Sequence, residues 1–446
     1  MKLPPSPKTH PFAQLLQWIA TPLDYLEGTQ KVYGDCFTAR FGKLPPLVMV
    51  SNPQGIQQMM TADSKQFDSG RGNQIFRPLV GDNSMLLLDG DRHQRDRQLL
   101  TPPFHGERMR TYGNLICDIS DKVMSKRMIG EPFFVRAAMQ EISLLAILNA
   151  VFGVNQGERF EKLKELLTSM LDSVSSPVSS SVLFFNSLQQ DFGAWSPWGR
   201  FLRQQKQIDQ LIYAELEERR SHPDSSRSDI LTLLMSARDE QGQPMTDQEL
   251  RDELLTLLIA GHETTASALT WALYWIHSSP EVHQKLLTEI SSLSDPSDPT
   301  VLAKLPYLNA VCQETLRIYP VAMLTLPRIV KSPINIMGYE FEPETTIMGC
   351  IYLTHQREDI YPEAKLFKPE RFLEKQFSPY QYLPFGGSNR RCIGMAFALF
   401  EMKLALATVV SRYQLSLTDK HQPKPVRRGV TLSPSSSFKM VLNSQL

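Results

Sequence analysis

Apolar residues recur at intervals of three and four along most of the chain, the pattern of helices that bury one face. The longest such stretches predict helices over residues 91–102, 114–128, 137–152, 158–173, 200–220, 247–278, 281–291, 308–318 and 394–412. Strand-like runs are few and far apart: CFTARF and PLVMVS before residue 52, INIMGYEF and TTIMGCIYL between 334 and 353, and GVTL and FKMVL near the end. The pattern predicts a mainly α-helical protein with a small β region assembled from distant segments.

The 446 residues show no Gly/Ser linker, charge block or internal repeat, so we expect one large domain over 1–446. A domain of that size can enclose a cofactor. The 47 basic and 47 acidic side chains balance, which disfavours a nucleic-acid partner.

Five cysteines are present, an odd number without a CxxC pair, which disfavours both a disulfide framework and a zinc cage. The proline-rich start, MKLPPSPKTHPF, does not look like a signal peptide, and no stretch reaches about 18 uninterrupted apolar residues. We therefore expect a cytoplasmic protein without a transmembrane segment.

Two long segments lack a regular period. Residues 174–199 carry Asp191 as their only acidic residue among many apolar and aromatic side chains, which suggests a lid or a peripheral membrane contact; the alternative is a loop packed into the core. Residues 367–387 are rich in Pro and aromatic residues, so side-chain contacts must hold their backbone.

A single cysteine, Cys392, lies in FGGSNRRCIG at the start of the last predicted helix. Glycines at 386 and 387 widen the accessible backbone geometry, and a helix beginning near Ile393 directs N–H groups and a positive dipole end at the sulfur. Both features favour a thiolate, and a soft metal ion is its natural partner. The alternative is an inert buried cysteine.

The stretch 247–278 predicts the longest helix, about 48 Å at 1.5 Å per residue. Thr246 and Glu249 form a capping-box pattern at its start, and Pro280 marks its end. The helix is apolar nearly all round before residue 260, so it must run through the protein centre. Gly261 and Thr264 then weaken one turn of it.

His262 and Glu263 begin a His-Glu-x-x-His zinc pattern, but position 266 is alanine, which excludes a metalloprotease site. No phosphate loop or dinucleotide fingerprint is recognisable in the chain.

Charged residues at helical spacing provide further candidates. His93 and Arg97 are four apart in DGDRHQRDRQLL, so they share a helix face. Glu314 and Arg317 in ETLR are three apart, and Arg371 follows in PERF. Taken alone, such pairs are most often solvated surface charges.

The chain contains the motifs AGHETT, ETLR, PERF and FGGSNRRCIG, in this order. These motifs and their order resemble those of the cytochrome P450 superfamily, and the resemblance covers essentially the whole chain. The resemblance is to a soluble, bacterial-type chain with microsomal-like motifs. It implies the P450 fold, with haem b between the long central helix and the helix after the cysteine, and it implies no reductase domain in this chain.

The resemblance also implies residue roles. Cys392 would be the axial ligand of the haem iron, Phe385 would pack beside the sulfur, and Thr264 and Glu263 would deliver protons for oxygen activation. The haem propionates would be bound by His93, Arg97, Arg328 and Arg390. Ser388 stands where the family usually has glycine, at a cost of about 1 kcal/mol if its φ is positive.

The reaction implied is insertion of one atom of O₂ into a hydrophobic substrate: a fatty acid, an alkane or a terpenoid. The family's layout places its pocket walls at 75–85, Leu257, Ala260, 321–324 and 434–438, and Arg71 or Arg77 is a candidate to anchor a carboxylate. Two other classes stay open: a haem-thiolate isomerase or dehydratase acting on peroxides without external electrons, and a non-catalytic haem sensor.

Electrons would come from a separate ferredoxin or flavodoxin type donor. Basic residues expected on the cysteine side of the protein would steer an acidic donor, with a strength that falls as salt rises. These residues are Arg92, Arg95, Arg108, Arg110, Arg391 and Lys403.

Overall fold

The computed structural model of the chain describes residues 3–104, 108–153, 157–175, 189–224, 226–293, 298–419 and 421–446. Its helices are α1 Pro11–Ala20, α2 Pro22–Tyr33, α3 Pro53–Thr61, α4 Ser69–Gly72, α5 Arg77–Val80, α6 Gly90–Leu100, α7 Arg108–Met124, α8 Val135–Phe152, α9 Glu158–Ser175, α10 Pro197–Ser221, α11 Ile230–Ser236, α12 Asp247–Ser278, α13 Pro280–Ser291, α14 Pro299–Leu302, α15 Pro306–Ile318, α16 Ile351–His355, α17 Arg371–Glu374 and α18 Met395–Arg412. Its strands are β1 Cys36–Ala39, β2 Leu47–Val50, β3 Phe67–Asp68, β4 Pro132–Phe134, β5 Arg328–Val330, β6 Ile334–Ile336, β7 Tyr339–Phe341, β8 Thr346–Gly349, β9 Tyr413–Leu417, β10 Pro425–Arg428, β11 Thr431–Pro434 and β12 Lys439–Gln445.

The long helices confirm the periodicity, and α12 has the bounds predicted for it. Its capping box is formed: the Thr246 hydroxyl accepts from the Glu249 N–H at 3.2 Å, and the Glu249 carboxylate accepts from the Thr246 N–H at 2.7 Å. We call α12 the central helix because α8, α15 and α18 all pack against it. The mainly α-helical fold with a small β region is confirmed.

The β region is assembled from distant segments, as expected. Its largest sheet has the order β1-β2-β8-β5-β3, in which only β2 and β8 pair in parallel. Two further strand pairs, β10-β11 and β6-β7, and a three-stranded sheet β4-β12-β9 complete it. This arrangement leaves one helical core and a smaller mixed region beside it.

Two predicted strands were wrong in detail. INIMGYEF is a hairpin, β6-β7, because Met337 and Gly338 both have positive φ (54° and 78°), the geometry of a tight primed turn. TTIMGCIYL is a strand only to Gly349, and Ile351–His355 continues as a helix. The helices α1, α2 and α3 were missed, although each has a proline in its first turn, where the missing N–H costs nothing.

Within the described ranges, one helix, Val135–Phe152, is long and apolar enough by composition to cross a membrane. Of this stretch, 78% is buried inside the protein. Its apolar side chains therefore serve as the packing surface against the central helix.

The expected lid, 174–199, lies partly outside the described residues, because 176–188 are not described. In the described part, the rings of Phe192 and Trp195 stack with centroids 6.2 Å apart and are 60% and 77% exposed. Trp198 instead turns inward and stacks on Phe201. The exposed pair is thus an apolar surface feature at the start of α10.

The aromatic segment 367–387 is held by side chains, as predicted. The ring of Phe367 stacks on Trp275 of the central helix at 5.2 Å, and Phe372 and Tyr382 pack edge to face at 4.9 Å. The Tyr382 hydroxyl donates to the Gln313 carbonyl at 3.1 Å. These contacts lead the backbone from α17 to the cysteine.

Candidate functional site

The cysteine loop, residues 384–394, connects the aromatic segment to α18. The Cys392 N–H donates to the Phe385 carbonyl at 2.9 Å, which closes the loop on itself. Gly386 has φ +65° and Ser388 has φ +59°, so serine occupies a left-handed position that favours glycine. The helix begins at Met395, one residue later than the predicted 394–412, with Gly394 as its N-cap.

The N–H group at the start of the helix favours a thiolate at Cys392, as expected, but burial has the larger effect on the thiol. Burial raises the pKa of the Cys392 thiol above its usual value, and the Gly394 N–H, Arg97 and Arg391 only partly oppose that rise. Helix and loop donors are too few to offset the loss of water around a sulfur anion. A bound cation is therefore needed to hold this residue as a thiolate.

The Cys392 side chain is nevertheless accessible. A side chain that protein atoms enclose and that is still accessible faces an internal cavity. One turn of the central helix is also accessible inside the protein. Ala260 is accessible and Thr264 partly accessible, whereas residues 254–258 before them and 265–274 after them are buried. Since α18 packs against the central helix, we interpret both accessible surfaces as walls of one interior cavity.

Thr264 lies on this accessible turn. Its hydroxyl donates to the Ala260 carbonyl at 2.5 Å, one turn back along the same helix. The hydroxyl is thus anchored to its own helix and can rotate toward the cavity. This placement agrees with the expected position of Thr264, but it does not test its role.

Glu263 points toward α8 rather than along the helix axis. Its carboxylate pairs with Arg136 and accepts from the Gln140 amide at 3.1 Å. The neighbouring His262 is buried, which lowers its pKa to about 4, so it is neutral near pH 7. A role of Glu263 in proton delivery therefore requires its carboxylate to exchange partners.

Sequence reasoning missed the residues of α8 that hold this turn. Arg136, Gln140 and Ser143 are polar positions spaced by four and three residues in a mainly apolar helix, so they share one face. The Ser143 hydroxyl donates to the Gly261 carbonyl at 3.2 Å. That polar stripe was a usable signal, because a helix buried on all sides rarely carries one without partners.

The structure brings the four expected basic residues, His93, Arg97, Arg328 and Arg390, to one place, the cationic cluster. Burial, together with the charges of Arg390 and Arg97, lowers the pKa of His93 to about 3. Burial and Arg390 lower the pKa of Arg328 to about 10. Burial also lowers the pKa of Arg97, and no carboxylate partner of Arg97 occurs among the described residues.

Arg390 is the only member of the cationic cluster that we find paired with a carboxylate within the described chain. It donates to Asp89 at 2.5 Å, and to the carbonyls of Met85, at 3.1 Å, and Leu88. Its Nε has no hydrogen-bond partner there. Buried cations that repel one another are costly unless an anion joins them.

These observations fit haem. Cys392 supplies one sulfur ligand, and among the described residues no group of three or more His, Cys, Asp or Glu could hold a metal ion. The other ligands of a metal at Cys392 would come with a cofactor, as porphyrin nitrogens do. The cationic cluster is complementary to two carboxylates, which the propionates provide.

A second polar group, Glu314, Arg317 and Arg371, forms the anchor cluster. Arg317 donates to both oxygens of Glu314 at 2.6 and 2.8 Å, and Arg371 donates to Glu314 at 3.1 Å. Arg317 also donates to the carbonyls of His355 and Ala364, each at 2.8 Å. The surface-pair interpretation is wrong for these residues, which are buried and tie the chain before the cysteine loop to α15.

Other expected charges are already engaged elsewhere. Arg71 pairs with Glu344 at 2.8 Å, and Arg77 pairs with Asp82, both at the surface, so neither is placed to anchor a substrate carboxylate. Arg95 binds Asp96, Asp239 and Glu249.

Two residues of the expected basic surface are less available than expected. Arg95 is occupied by its three carboxylates, and Lys403 is partly buried and donates to the Ala303 carbonyl at 3.1 Å. Arg92, Arg110 and Arg391 are exposed, and the side chain of Arg108 lies outside the described part of the structure. The expected basic surface is thus smaller than the sequence suggested.

Comparison with known proteins gives one consistent result. The family model described as Cytochrome P450 matches residues 4–442. A Mycobacterium tuberculosis protein provisionally named cytochrome P450 135B1 is 33% identical over 437 residues, which cover 97% of this chain and 90% of that protein. A Mycobacterium bovis protein provisionally named cytochrome P450 138 is 29% identical, covering 99% and 96% of the two chains.

Solved structures agree on the fold. A cyanobacterial CYP120A1 with bound retinoic acid has a TM-score of 0.83 at 23% identity and covers both chains completely. The haem domain of cytochrome P450DA has a TM-score of 0.85 at 21% identity, covering 99% of this chain and 98% of that one.

Proposed function

The chain belongs to the cytochrome P450 superfamily, and we propose that it oxygenates an apolar substrate at a haem held by Cys392. Membership makes it a haem-thiolate monooxygenase, an oxidoreductase that uses haem b, O₂ and a redox partner. The proposal assigns its residues, its substrate class and its electron donor.

The observation that carries the assignment is the accessible sulfur of Cys392 beside the cationic cluster. Cys392 would supply a thiolate ligand to the haem iron, and the carbonyl and ring of Phe385 would shape the loop around it. His93, Arg97, Arg328 and Arg390 would bind the propionates. Attraction to the two propionate carboxylates would then offset the repulsion among these cations.

Bound haem supplies the activation of dioxygen. The chain's own contribution is the control of protons and water at the accessible turn of the central helix. The Thr264 hydroxyl can leave the Ala260 carbonyl and donate into the cavity, and Glu263 can pass protons when its carboxylate leaves Arg136. The apolar walls limit the entry of bulk water.

The side chains around the proposed pocket support a neutral, apolar substrate. Leu257, Val321 and Phe438 are apolar and only 7%, 9% and 9% exposed, and Arg71 and Arg77 are engaged at the surface. We propose a fatty acid, an alkane or a terpenoid, with alkanes and neutral terpenoids favoured over acids. Retinoic acid, bound by the cyanobacterial neighbour, is a suitable probe of the isoprenoid class.

We propose a separate, acidic ferredoxin or flavodoxin as the electron donor. Arg391, next to Cys392, and the exposed Arg92 and Arg110 support a donor surface on this side. Reduction by such a donor should slow as ionic strength rises, and salt-independent reduction would exclude charge steering.

Cytoplasmic location and a membrane contact through 174–199 stay predictions. The exposed Phe192–Trp195 pair supports an apolar contact at the described end of that segment. Binding of the purified protein to neutral lipid vesicles, with and without Trp195→Ser, would test it.

The decisive experiment replaces Cys392 by serine. We expect loss of the strongly red-shifted absorbance of the carbon monoxide complex, which thiolate ligation produces, while Cys117→Ser retains it. A Cys392→Ser protein with the parental spectrum would overturn the proposal.

Thr264→Ala then distinguishes the reaction classes. For an oxygenase, we expect intact haem binding but oxygen consumption that no longer matches product formation. Turnover of a hydroperoxide without reductant would identify the isomerase instead, and gas binding without any oxidised product would identify the sensor.

A further inference from the structure

The segment 81–89 joins α5 to α6 and contains no helix or strand. Peptide groups in such a segment need hydrogen-bond partners from elsewhere in the protein. Residues 81–85 of the segment belong to the proposed substrate-pocket wall, 75–85, so the partners of their peptide groups decide how firmly this wall is placed.

On one side, the central helix holds three consecutive residues of the segment. The Asp252 carboxylate accepts from the Asn83 N–H and side-chain amide at 2.9 and 3.0 Å. The Thr256 and Ser84 hydroxyls are 2.7 Å apart. The Glu253 carboxyl accepts from the Met85 N–H at 2.6 Å.

On the other side, the cysteine loop holds the same segment. Arg390 donates to the Met85 carbonyl at 3.1 Å and also binds the Leu88 carbonyl and Asp89. The backbone of Met85 therefore connects Glu253 of the central helix to Arg390, two residues before Cys392. This is a short polar connection between the proposed substrate side and the haem side.

Burying the carboxyl group of Glu253 at this position costs free energy. Glu253 is fully buried, its Oε2 has no hydrogen-bond partner among the described residues, and Asp96, Asp252 and Glu249 are nearby carboxylates. Burial raises the pKa of Glu253 well above its usual value, and the nearby carboxylates act in the same direction. An apolar side chain would cost less here unless the Met85 N–H needed an acceptor.

We propose that Glu253 is a positioning residue that fixes the Met85 backbone in the substrate-pocket wall and, through it, the guanidinium of Arg390 beside the haem. The inference rests on the proposed function, which identifies this region as the substrate pocket. It makes residues 81–85 a fixed part of the pocket wall, so this wall selects substrates by shape.

The test compares Glu253→Leu, which removes the acceptor, with Glu253→Gln, which keeps one. Glu401→Leu is the matched control, because Glu401 is also a fully buried glutamate, on α18, and makes no hydrogen bond with 81–89. Amide hydrogen exchange of the haem-loaded protein would be read over 81–89. Binding of imidazole and of the bulkier 4-phenylimidazole would be followed through the haem spectrum.

For Glu253→Leu we expect roughly tenfold or greater acceleration of exchange confined to 81–89, because a buried donor loses its partner. We expect 4-phenylimidazole to bind several-fold more weakly while imidazole is little affected, since only the bulky probe needs the wall. Glu253→Gln should stay within about twofold of the parent.

Equal behaviour of Glu253→Leu and Glu401→Leu over 81–89 would overturn the proposal, as would a Glu253→Gln protein that behaves like Glu253→Leu. If Glu253→Leu does not fold, Thr256→Val removes the Ser84 contact from the same surface, and unchanged exchange at 81–89 in that variant would also overturn it. An unaltered carbon monoxide spectrum in these variants leaves the assignment of Cys392 standing.

Discussion

The anchor cluster and the cationic cluster are both built from buried charged side chains, but their charges are balanced differently. In the anchor cluster, Glu314 receives donors from Arg317 and Arg371, and the remaining arginine N–H groups donate to backbone carbonyls. In the cationic cluster, burial and neighbouring positive charge both lower the pKa of His93. Charges that are balanced within the protein stabilise the fold, whereas a cluster with excess positive charge can bind an anionic ligand.

The two clusters also stand at opposite ends of one chain segment. The anchor cluster holds the backbone before the cysteine loop, and Arg390 of the cationic cluster belongs to that loop. The ion pairs of the anchor cluster thus hold the loop in place, whereas the cationic cluster keeps an excess of positive charge where the cofactor would bind. Variants of the two clusters should consequently behave in opposite ways.

Glu314→Ala should have the largest effect. It leaves Arg317 and Arg371 buried without their carboxylate, which should lower the free energy of unfolding by about 3–5 kcal/mol. Urea unfolding measures it, with Glu374→Ala on the exposed side of α17 as the control expected to change little. A Glu314→Ala protein as stable as the control would refute the anchor role.

Arg97→Ala should have the opposite sign in haem-free protein. Arg97 is half-buried and has no carboxylate partner among the described residues, so its removal should leave the free energy of unfolding unchanged or raise it. In loaded protein, loss of one charge-assisted hydrogen bond should speed haem release roughly tenfold. Transfer of haem to apomyoglobin measures release, and Arg97→Lys should fall between parent and alanine variant; unchanged release would remove Arg97 from the cofactor site.

Low pH should weaken the haem-free protein through His93. Its folded pKa of about 3 lies below the unfolded value of 6.5, so the unfolded state binds more protons between these values and stability falls as pH falls from 6.5 toward 3. The loss due to His93 should be about 1.5 kcal/mol between pH 6.5 and 5. His93→Gln should remove that part of the slope, and equal slopes in the two proteins would contradict the lowered pKa.

Ser388→Gly should have the smallest effect, and it should be stabilising. With φ at +59°, glycine should raise the free energy of unfolding by about 0.5–1 kcal/mol, since it tolerates left-handed geometry. Ser378→Gly, at a position without positive φ, should instead be neutral or destabilising. Thermal unfolding measures both, and destabilisation by Ser388→Gly would show that the serine side chain contributes more than its strain costs.

Local pattern was sufficient for the long helices and for the cysteine, but not for the partners of each charge. The bounds of the central helix follow from its capping box and Pro280, both of which act within a few residues. The turn at Met337 and the end of the strand at Gly349 were missed, because turn geometry and strand pairing depend on neighbours that the pattern does not contain.

By itself, the sequence determined the helical class of this protein, the course of its central helix and the position of the sulfur. Periodicity, caps and motif spacing are local properties, so they can be read along the chain. Only the tertiary structure decided that Arg71 and Arg95 are engaged elsewhere, and that Glu253 and Arg390 meet at Met85. What a charged side chain contributes to stability or binding depends on its burial and on partners that can lie more than a hundred residues away. Only folding brings those partners together.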